Sequence, residues 1–127
     1  MNRPRGLLAL VALVAVAAGV MALGGVGTAR SSKPKVVKLY DNYYSPVSVK
    51  IRKRGKVKWK WTPVFNTHNV KLTEAPRGVR KSKFRSQTSS SPTYTFTKRF
   101  TKPGKYHFIC TIHPVEMQMD VRVRRPR

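Results

Sequence analysis

After an apolar N-terminal stretch, this sequence alternates apolar and polar residues with a period of two, and it shows no helical periodicity. A strand points successive side chains to opposite faces, so the alternation predicts half-buried β-strands. Gly55 and Pro103-Gly104 interrupt the pattern as turns, and the patternless stretch 73–93 predicts a long loop with a short strand or turn inside it. The alternating segments are VSVKIR (47–52), VKWKW (57–61), YTFTKRF (94–100), KYHFIC (105–110) and VRVR (121–124). Several short strands with one buried face each predict an all-β sandwich.

The alternation also predicts the core. In VKWKW the valine and both tryptophans share one face, and the lysines take the other. In the other segments, the alternation predicts that these residues point inward: Val47, Val49, Ile51, Tyr94, Phe96, Tyr106, Phe108, Cys110, Val121 and Val123. Inward aromatic residues are expected to pack in the core rather than to stack on bases, and no motif of a known nucleic-acid-binding module is present. Nucleic acid is therefore not an expected partner.

The first 29 residues have the features of an export signal. Arg3 and Arg5 form a short positive region, residues 7–26 carry no charge, and the small residues 27–29 follow as a signal-peptidase site would. We expect a signal peptide over 1–29 and one domain over 30–127, exported to the periplasm or the extracellular space. The apolar run is longer than most signal cores, so an uncleaved membrane anchor through residues 7–26 is the alternative.

The predicted domain is strongly basic. Residues 30–127 carry 25 Lys and Arg against four acids, Asp41, Glu74, Glu116 and Asp120, so their formal net charge is +21. Such a charge attracts anionic surfaces and speeds association with acidic proteins, but it does not specify a fold. It predicts a protein partner with an acidic surface, or association with an anionic membrane or cell-wall polymers.

The only cysteine lies in CTIHPVEM (110–117). A single thiol in an exported protein has no internal disulfide partner. His113 and Met117 follow Cys110 in the same segment, and His68 lies in THNV after the VKWKW segment. One thiolate, two imidazoles and one thioether suit copper, and a trigonal Cys-His-His set with a long axial Met is the blue-copper pattern. We therefore predict one copper ion that cycles between Cu(I) and Cu(II), and bonding to this ion protects the thiol.

Each of these residues taken alone has a simpler explanation. Cys110 and Met117 would each fit a core, and Met119 shares a strand face with Met117 and competes with it as axial ligand. His107 lies an odd number of residues before Cys110, so we expect it to point to the opposite face. Structural zinc sites use more cysteines or histidines, and a Cys–His nucleophile would need an orienting group that the loop lacks.

These residues and the segments around them resemble the cupredoxins, the family of small blue copper proteins, and most closely the plastocyanin and amicyanin branch. The resemblance covers YYSPVSVKIRKRGKVKWKW, HNV, FTKPGKYHFICTIHPVEM and VRV. It implies a Greek-key β-sandwich of about eight strands. It also implies a copper site formed by His68, Cys110, His113 and Met117, with Asn69 bonded between the two ligand loops.

The resemblance further implies one-electron transfer outside the cytoplasm to a redox protein partner. Electrons would pass the exposed edge of His113, beside Pro114 and Val115. We expect a monomer that is not an enzyme, because the protein itself fills every coordination position. Two alternatives are a copper storage or delivery protein, for which surface Met or His clusters would be expected, and a secreted basic module that binds polyanions.

Overall fold

The computed structural model describes residues 32–127 and the isolated glycines 19, 24, 25 and 27. The expected signal peptide or anchor therefore lies almost entirely outside the described residues. The described residues contain no helix that could span a lipid bilayer. Residues 32–127 form one 3-10 helix, Lys81–Lys83, and eight strands: β1 Lys35–Tyr40, β2 Tyr43–Ser45, β3 Ser48–Arg52, β4 Lys56–Trp61, β5 Lys71–Glu74, β6 Thr95–Arg99, β7 Gly104–Ile109 and β8 Gln118–Arg124.

The strands form two sheets of four. One sheet has the order β2-β1-β4-β6, and the other has the order β3-β8-β7-β5. β1 runs parallel to β4 and β3 runs parallel to β8, whereas the remaining neighbours are antiparallel. The two sheets enclose a common hydrophobic core. The prediction of an all-β sandwich of about eight strands is confirmed.

The strand register divides the loops between two ends of the sandwich. β7 ends at Ile109 beside Gln118, where β8 begins. In the other sheet β4 ends at Trp61, beside Leu39 of β1. The chain therefore brings to one end, here called the metal end, the connections 41–47, 62–70, 86–93 and 110–117.

The core follows the predicted phase in most segments. Val49, Trp59, Trp61 and Phe108 are buried, and the Trp59 ring lies at the centre with its centroid 5.0 Å from that of Phe108. The prediction for Val47 was wrong, because this side chain is 61% exposed. β3 begins one residue later, so Val47 belongs to the connection from β2 and the strand's alternation does not apply to it.

Candidate metal centre

His68 lies in the connection between β4 and β5 and is fully buried. Its backbone pairs with that of Ser89 through two hydrogen bonds of 2.9 Å, which fix this part of the connection. On the side chain, Nε2 lies 3.0 Å from Oδ1 of Asp41. An ionised carboxylate only accepts hydrogen bonds, so Nε2 carries a proton, and in the neutral imidazole the lone pair is then on Nδ1.

Cys110 follows the last residue of β7 and is fully buried. Its backbone N–H donates to the carbonyl of Met117 at 3.0 Å, and the N–H of Met117 donates to the carbonyl of His113 at 3.0 Å. These two bonds close the loop 110–117 tightly at the start of β8. The sheet and the loop together therefore determine where the sulfur and the His113 ring lie.

The three side chains converge on one point. Sγ of Cys110 lies 4.0 Å from Nδ1 of His68 and 3.9 Å from Nδ1 of His113, and the three ligand atoms lie within 4.8 Å of one another. Bonds from a transition metal to imidazole and thiolate are about 2.0–2.3 Å long, so these separations fit a single ion among the three atoms. A thiolate with two imidazoles is a donor set that suits copper.

The two candidate methionines have different surroundings. Both are buried, Met117 fully and Met119 almost so. The sulfur of Met119 accepts a hydrogen bond of 3.1 Å from Nε1 of Trp59 in the core, whereas Met117 lies where the ligand loop closes. The surroundings of Met119 thus favour a core role for it and favour Met117 as the axial ligand.

Comparisons with known proteins agree with this geometry. A family model described as copper-binding proteins of the plastocyanin/azurin family matches residues 36–124. This chain belongs to that family. As a member of the plastocyanin/azurin family, it is a copper-binding cupredoxin, as the sequence predicted.

Three relatives illustrate the similarity. Amicyanin-alpha of Methylorubrum extorquens is 33% identical over 108 residues, which are 85% of each chain. The structure of amicyanin from Paracoccus versutus is 26% identical with a TM-score of 0.61, and the match covers 73% of this chain and 83% of that one. A copper-containing nitrite reductase from Thermus scotoductus is 25% identical with a TM-score of 0.64, but the match covers 75% of this chain and only 23% of that enzyme.

Asn69 joins three connections of this cupredoxin. Its side-chain Nδ2 donates to Oγ1 of Thr88 at 3.0 Å and to Oγ1 of Thr111 at 2.7 Å, and its Oδ1 accepts the N–H of Thr111 at 2.9 Å. Its backbone N–H lies 3.5 Å from Sγ of Cys110. The residue therefore links the connection that contains His68 to the two connections that contain Thr88 and Cys110.

Two residues that sequence reasoning did not single out complete the surroundings of the ligands. Tyr44 donates from its hydroxyl to the carbonyl of Asn69 at 2.7 Å, and burial raises the pKa of Tyr44, so the hydroxyl stays protonated. The N–H groups of Phe65 and Asn66, followed by His68, lower the pKa of Asp41 to about 2. The rarity of acids in this chain was the one signal that could have drawn attention to Asp41.

Several exposed side chains around the site are apolar, and the loop 110–117 also exposes the acid Glu116. The His113 side chain is partly exposed, and Pro114 and Val115 beside it are exposed, Val115 at 79%. Ile112 in the same loop and Phe65 near Asp41 are also exposed. Three of these residues, Ile112, Pro114 and Val115, are neighbours in sequence of His113, from which the sequence predicts electron exit.

His107 lies away from the ligands. Its Nδ1 is 2.7 Å from Oδ1 of Asp120, its cross-strand neighbour on β8. It is absent from the His-Cys-His cluster of the described residues. Strand alternation had predicted this placement.

Proposed function

We propose that this protein is an exported one-electron carrier whose copper ion is bound by His68, Cys110, His113 and Met117. The observation that carries the proposal is the convergence of one sulfur and two ring nitrogens at the buried end of two strands. These residues would hold a copper ion that supplies one-electron chemistry with little rearrangement, because thiolate, imidazole and thioether suit both Cu(I) and Cu(II). Four protein donors leave no open position for a substrate, which supports a carrier rather than an enzyme.

The protein's part in this chemistry is to hold the donors rigidly. Asp41 fixes the protonation of His68, so that Nδ1 is available as a ligand. The N–H of Asn69 donates to the sulfur of Cys110 and so helps to hold it in position. Two backbone hydrogen bonds hold the loop closed between Cys110 and Met117. A site fixed in this way has a small reorganisation energy when its charge changes.

The exit route that we propose runs through the ring of His113. This is the only one of the four proposed ligands that is not fully buried, and the two residues after it, Pro114 and Val115, are exposed and uncharged. A partner with an apolar contact surface would approach the ring over these two residues at little desolvation cost. The observations that support this route are the exposure of Pro114 and Val115.

The partner that we propose is a redox protein whose acidic residues lie around its apolar contact. Lysines on the outer face of the β1–β4 sheet, such as Lys58 and Lys60, extend along the flank of the sandwich and would meet those acids. Attraction of this kind weakens as salt rises, since screening acts over about 8 Å at physiological ionic strength. We expect the electron-transfer rate with an acidic partner protein to fall steeply with salt, and a flat dependence would refute this choice of partner.

The boundaries that we propose are a signal peptide or anchor over 1–29 and a copper-binding domain over 30–127, acting as a monomer outside the cytoplasm. The observation that supports this boundary is that β1 begins at Lys35, close to residue 30. Mass spectrometry of the protein recovered from its native host would show whether cleavage occurs near Ala29. A mature chain that begins at Met1 would indicate the anchored form instead.

The test of the copper-carrier proposal is addition of Cu(II) to the metal-free protein. We expect one equivalent to produce intense blue absorption from thiolate-to-copper charge transfer, and cyclic voltammetry to show a reversible one-electron wave. His113→Ala should lose both, whereas His107→Ala, which removes a histidine outside the cluster, should keep them. A colourless wild-type complex would refute a type 1 copper site.

A further inference from the structure

Basic residues are distributed very unevenly between the two ends of the sandwich. The four segments of the metal end, 41–47, 62–70, 86–93 and 110–117, contain no lysine or arginine, and the only basic residues that directly flank them are Lys71 and Arg85. At the opposite end, ten basic residues lie near the strand termini and in the turns. This set, here called the basic end, consists of Lys33, Lys35, Arg52, Lys53, Arg54, Lys56, Arg99, Arg124, Arg125 and Arg127.

Register and hydrogen bonds place these residues together although they are far apart in sequence. Arg52 of β3 lies beside Arg124 of β8, and Lys56 of β4 lies beside Arg99 of β6. The N–H of Lys53 donates to the carbonyl of Arg124 at 3.1 Å. Both sheets contribute to this set, because it includes the terminal residues of β1, β3, β4, β6 and β8 at this end.

These charges are not neutralised within the described part of the chain. Its ion pairs are Asp41 with His68, and Asp120 with Lys105 and His107, so none of them involves the basic end. All ten residues except the half-buried Lys56 are exposed. Two adjoining grooves at this end are lined by Lys33, Lys35, Lys50, Arg52, Lys53, Lys56, Arg124, Arg125 and Arg127, without an acidic residue. Repulsion among them opposes the compact fold, so an external polyanion would relieve it.

The path of the chain indicates which polyanion fits. Residues 1–31 join the domain at Ser32, directly before Lys33 at the basic end, and 7–26 are an uncharged apolar run. Any contact of that run with a bilayer brings this end to the headgroups. β8 spans seven residues between the two ends, and a strand rises about 3.3 Å per residue, so the metal end lies roughly 20 Å away.

We propose that the basic end binds the phosphate headgroups of an anionic lipid bilayer and directs the metal end away from the membrane. The lipid contact does not depend on the proposal of electron transfer. Only the reason for directing the metal end outward rests on that proposed function. Clusters of Lys and Arg beside an apolar segment attract anionic lipid, and this attraction falls off within a Debye length. The edge of His113 then stays accessible to a soluble partner.

The test compares two charge-matched variants of the full chain. The basic-end variant carries Lys35→Gln, Lys53→Gln, Arg124→Gln and Arg125→Gln. The flank variant carries Lys38→Gln, Lys60→Gln, Arg85→Gln and Arg122→Gln, so it loses the same charge from exposed positions elsewhere. Each is sedimented with phosphatidylcholine vesicles, with or without phosphatidylglycerol. For each protein, the affinity for vesicles with phosphatidylglycerol is divided by the affinity for vesicles without it. This ratio removes any contribution of the apolar run, which is the same in both measurements.

We expect the basic-end variant to lose about 100-fold in this ratio, and the flank variant less than about fivefold. Equal losses in both variants, or no loss in either, would overturn the proposal. If duplex DNA at equal phosphate concentration displaces the wild-type protein from the vesicles, the choice of lipid as the polyanion is wrong.

Orientation is read separately by acylating lysines on and off vesicles, followed by mass spectrometry. Protection of Lys33, Lys35 and Lys53, with Lys60 unprotected, is the expected result, and the reverse pattern would contradict it. These readouts need no copper, so they succeed or fail independently of the blue absorption.

Discussion

The metal end and the basic end are built from the same eight strands but expose opposite kinds of residue. At the metal end Phe65, Ile112 and Val115 are exposed, and the connections hold no lysine or arginine. At the other end exposed arginines and lysines follow the strand ends. The contrast shows that a formal net charge of +23 does not describe the surface a redox partner would meet. We assign copper binding and electron exchange to the metal end, and lipid binding to the basic end. A change at one end that alters the property of the other end would contradict this assignment.

The largest effect is expected from Cys110→Ser at the metal end. A serine hydroxyl cannot replace the thiolate as a soft ligand, so the blue absorption should be lost completely. Arg52→Gln at the basic end should leave the spectrum unchanged. A blue Cys110→Ser protein, seen by visible spectroscopy after addition of Cu(II), would show that the sulfur is not a ligand.

The second effect concerns the residue between the two ligand loops. Asn69→Ala removes the hydrogen bonds to Thr88 and Thr111, and loss of such outer partners lowers metal affinity by about 10- to 100-fold. Competition for copper against a chelator would measure the change. Asn66→Ala, an exposed asparagine in the same connection, is the matched control and should bind copper normally.

A third change tests the apolar surface at the exit. Val115→Asp puts a charge beside His113, and we expect electron self-exchange to slow by about tenfold while the spectrum stays almost unchanged. NMR line broadening in mixtures of the Cu(I) and Cu(II) forms measures the rate. The control is Val36→Asp, which adds the same charge on β1. The Val36 side chain is 47% exposed, and the residue lies beside Lys58 of β4. Equal slowing in both variants would argue against exit through His113.

The smallest effect separates the two methionines. Met117→Leu should raise the reduction potential, because it removes a weak donor that favours Cu(II), and the site should stay coloured. Met119→Leu should leave the potential nearly unchanged, since its sulfur contacts Trp59. Exchanges of this kind usually cost less than about 1.5 kcal/mol of stability, so both variants should fold. A shift in potential with Met119→Leu alone, measured by voltammetry, would reverse the assignment.

Sequence periodicity predicted β4, β7 and β8 well, because Trp59, Phe108 and Val121 are buried in the phase that the alternation gives. It did not mark β1, β2 or β5 as separate strands. In KVVKLY the exposed Val36 precedes the buried Val37, which breaks the alternation, and β2 has only three residues.

The site was predictable to the extent that its residues are chemically distinctive. A lone cysteine, followed three residues later by a histidine, limits the possible ligands. Asp41 and Tyr44 were not predictable, because they reach the site from the β1–β2 region through contacts across 27 and 25 residues of sequence. The separation of charge was also hidden, because only the strand register shows that Arg52 and Arg124 are neighbours.

The most direct test of the two-ended arrangement measures electron exchange and lipid binding in the same pair of variants. Val115→Asp changes the metal end, and the four-residue glutamine variant changes the basic end. The account predicts that Val115→Asp slows exchange and keeps the preference for phosphatidylglycerol vesicles, while the basic-end variant loses that preference and keeps the exchange rate at high salt. If either variant changes both properties, the two ends do not act separately and the account is wrong.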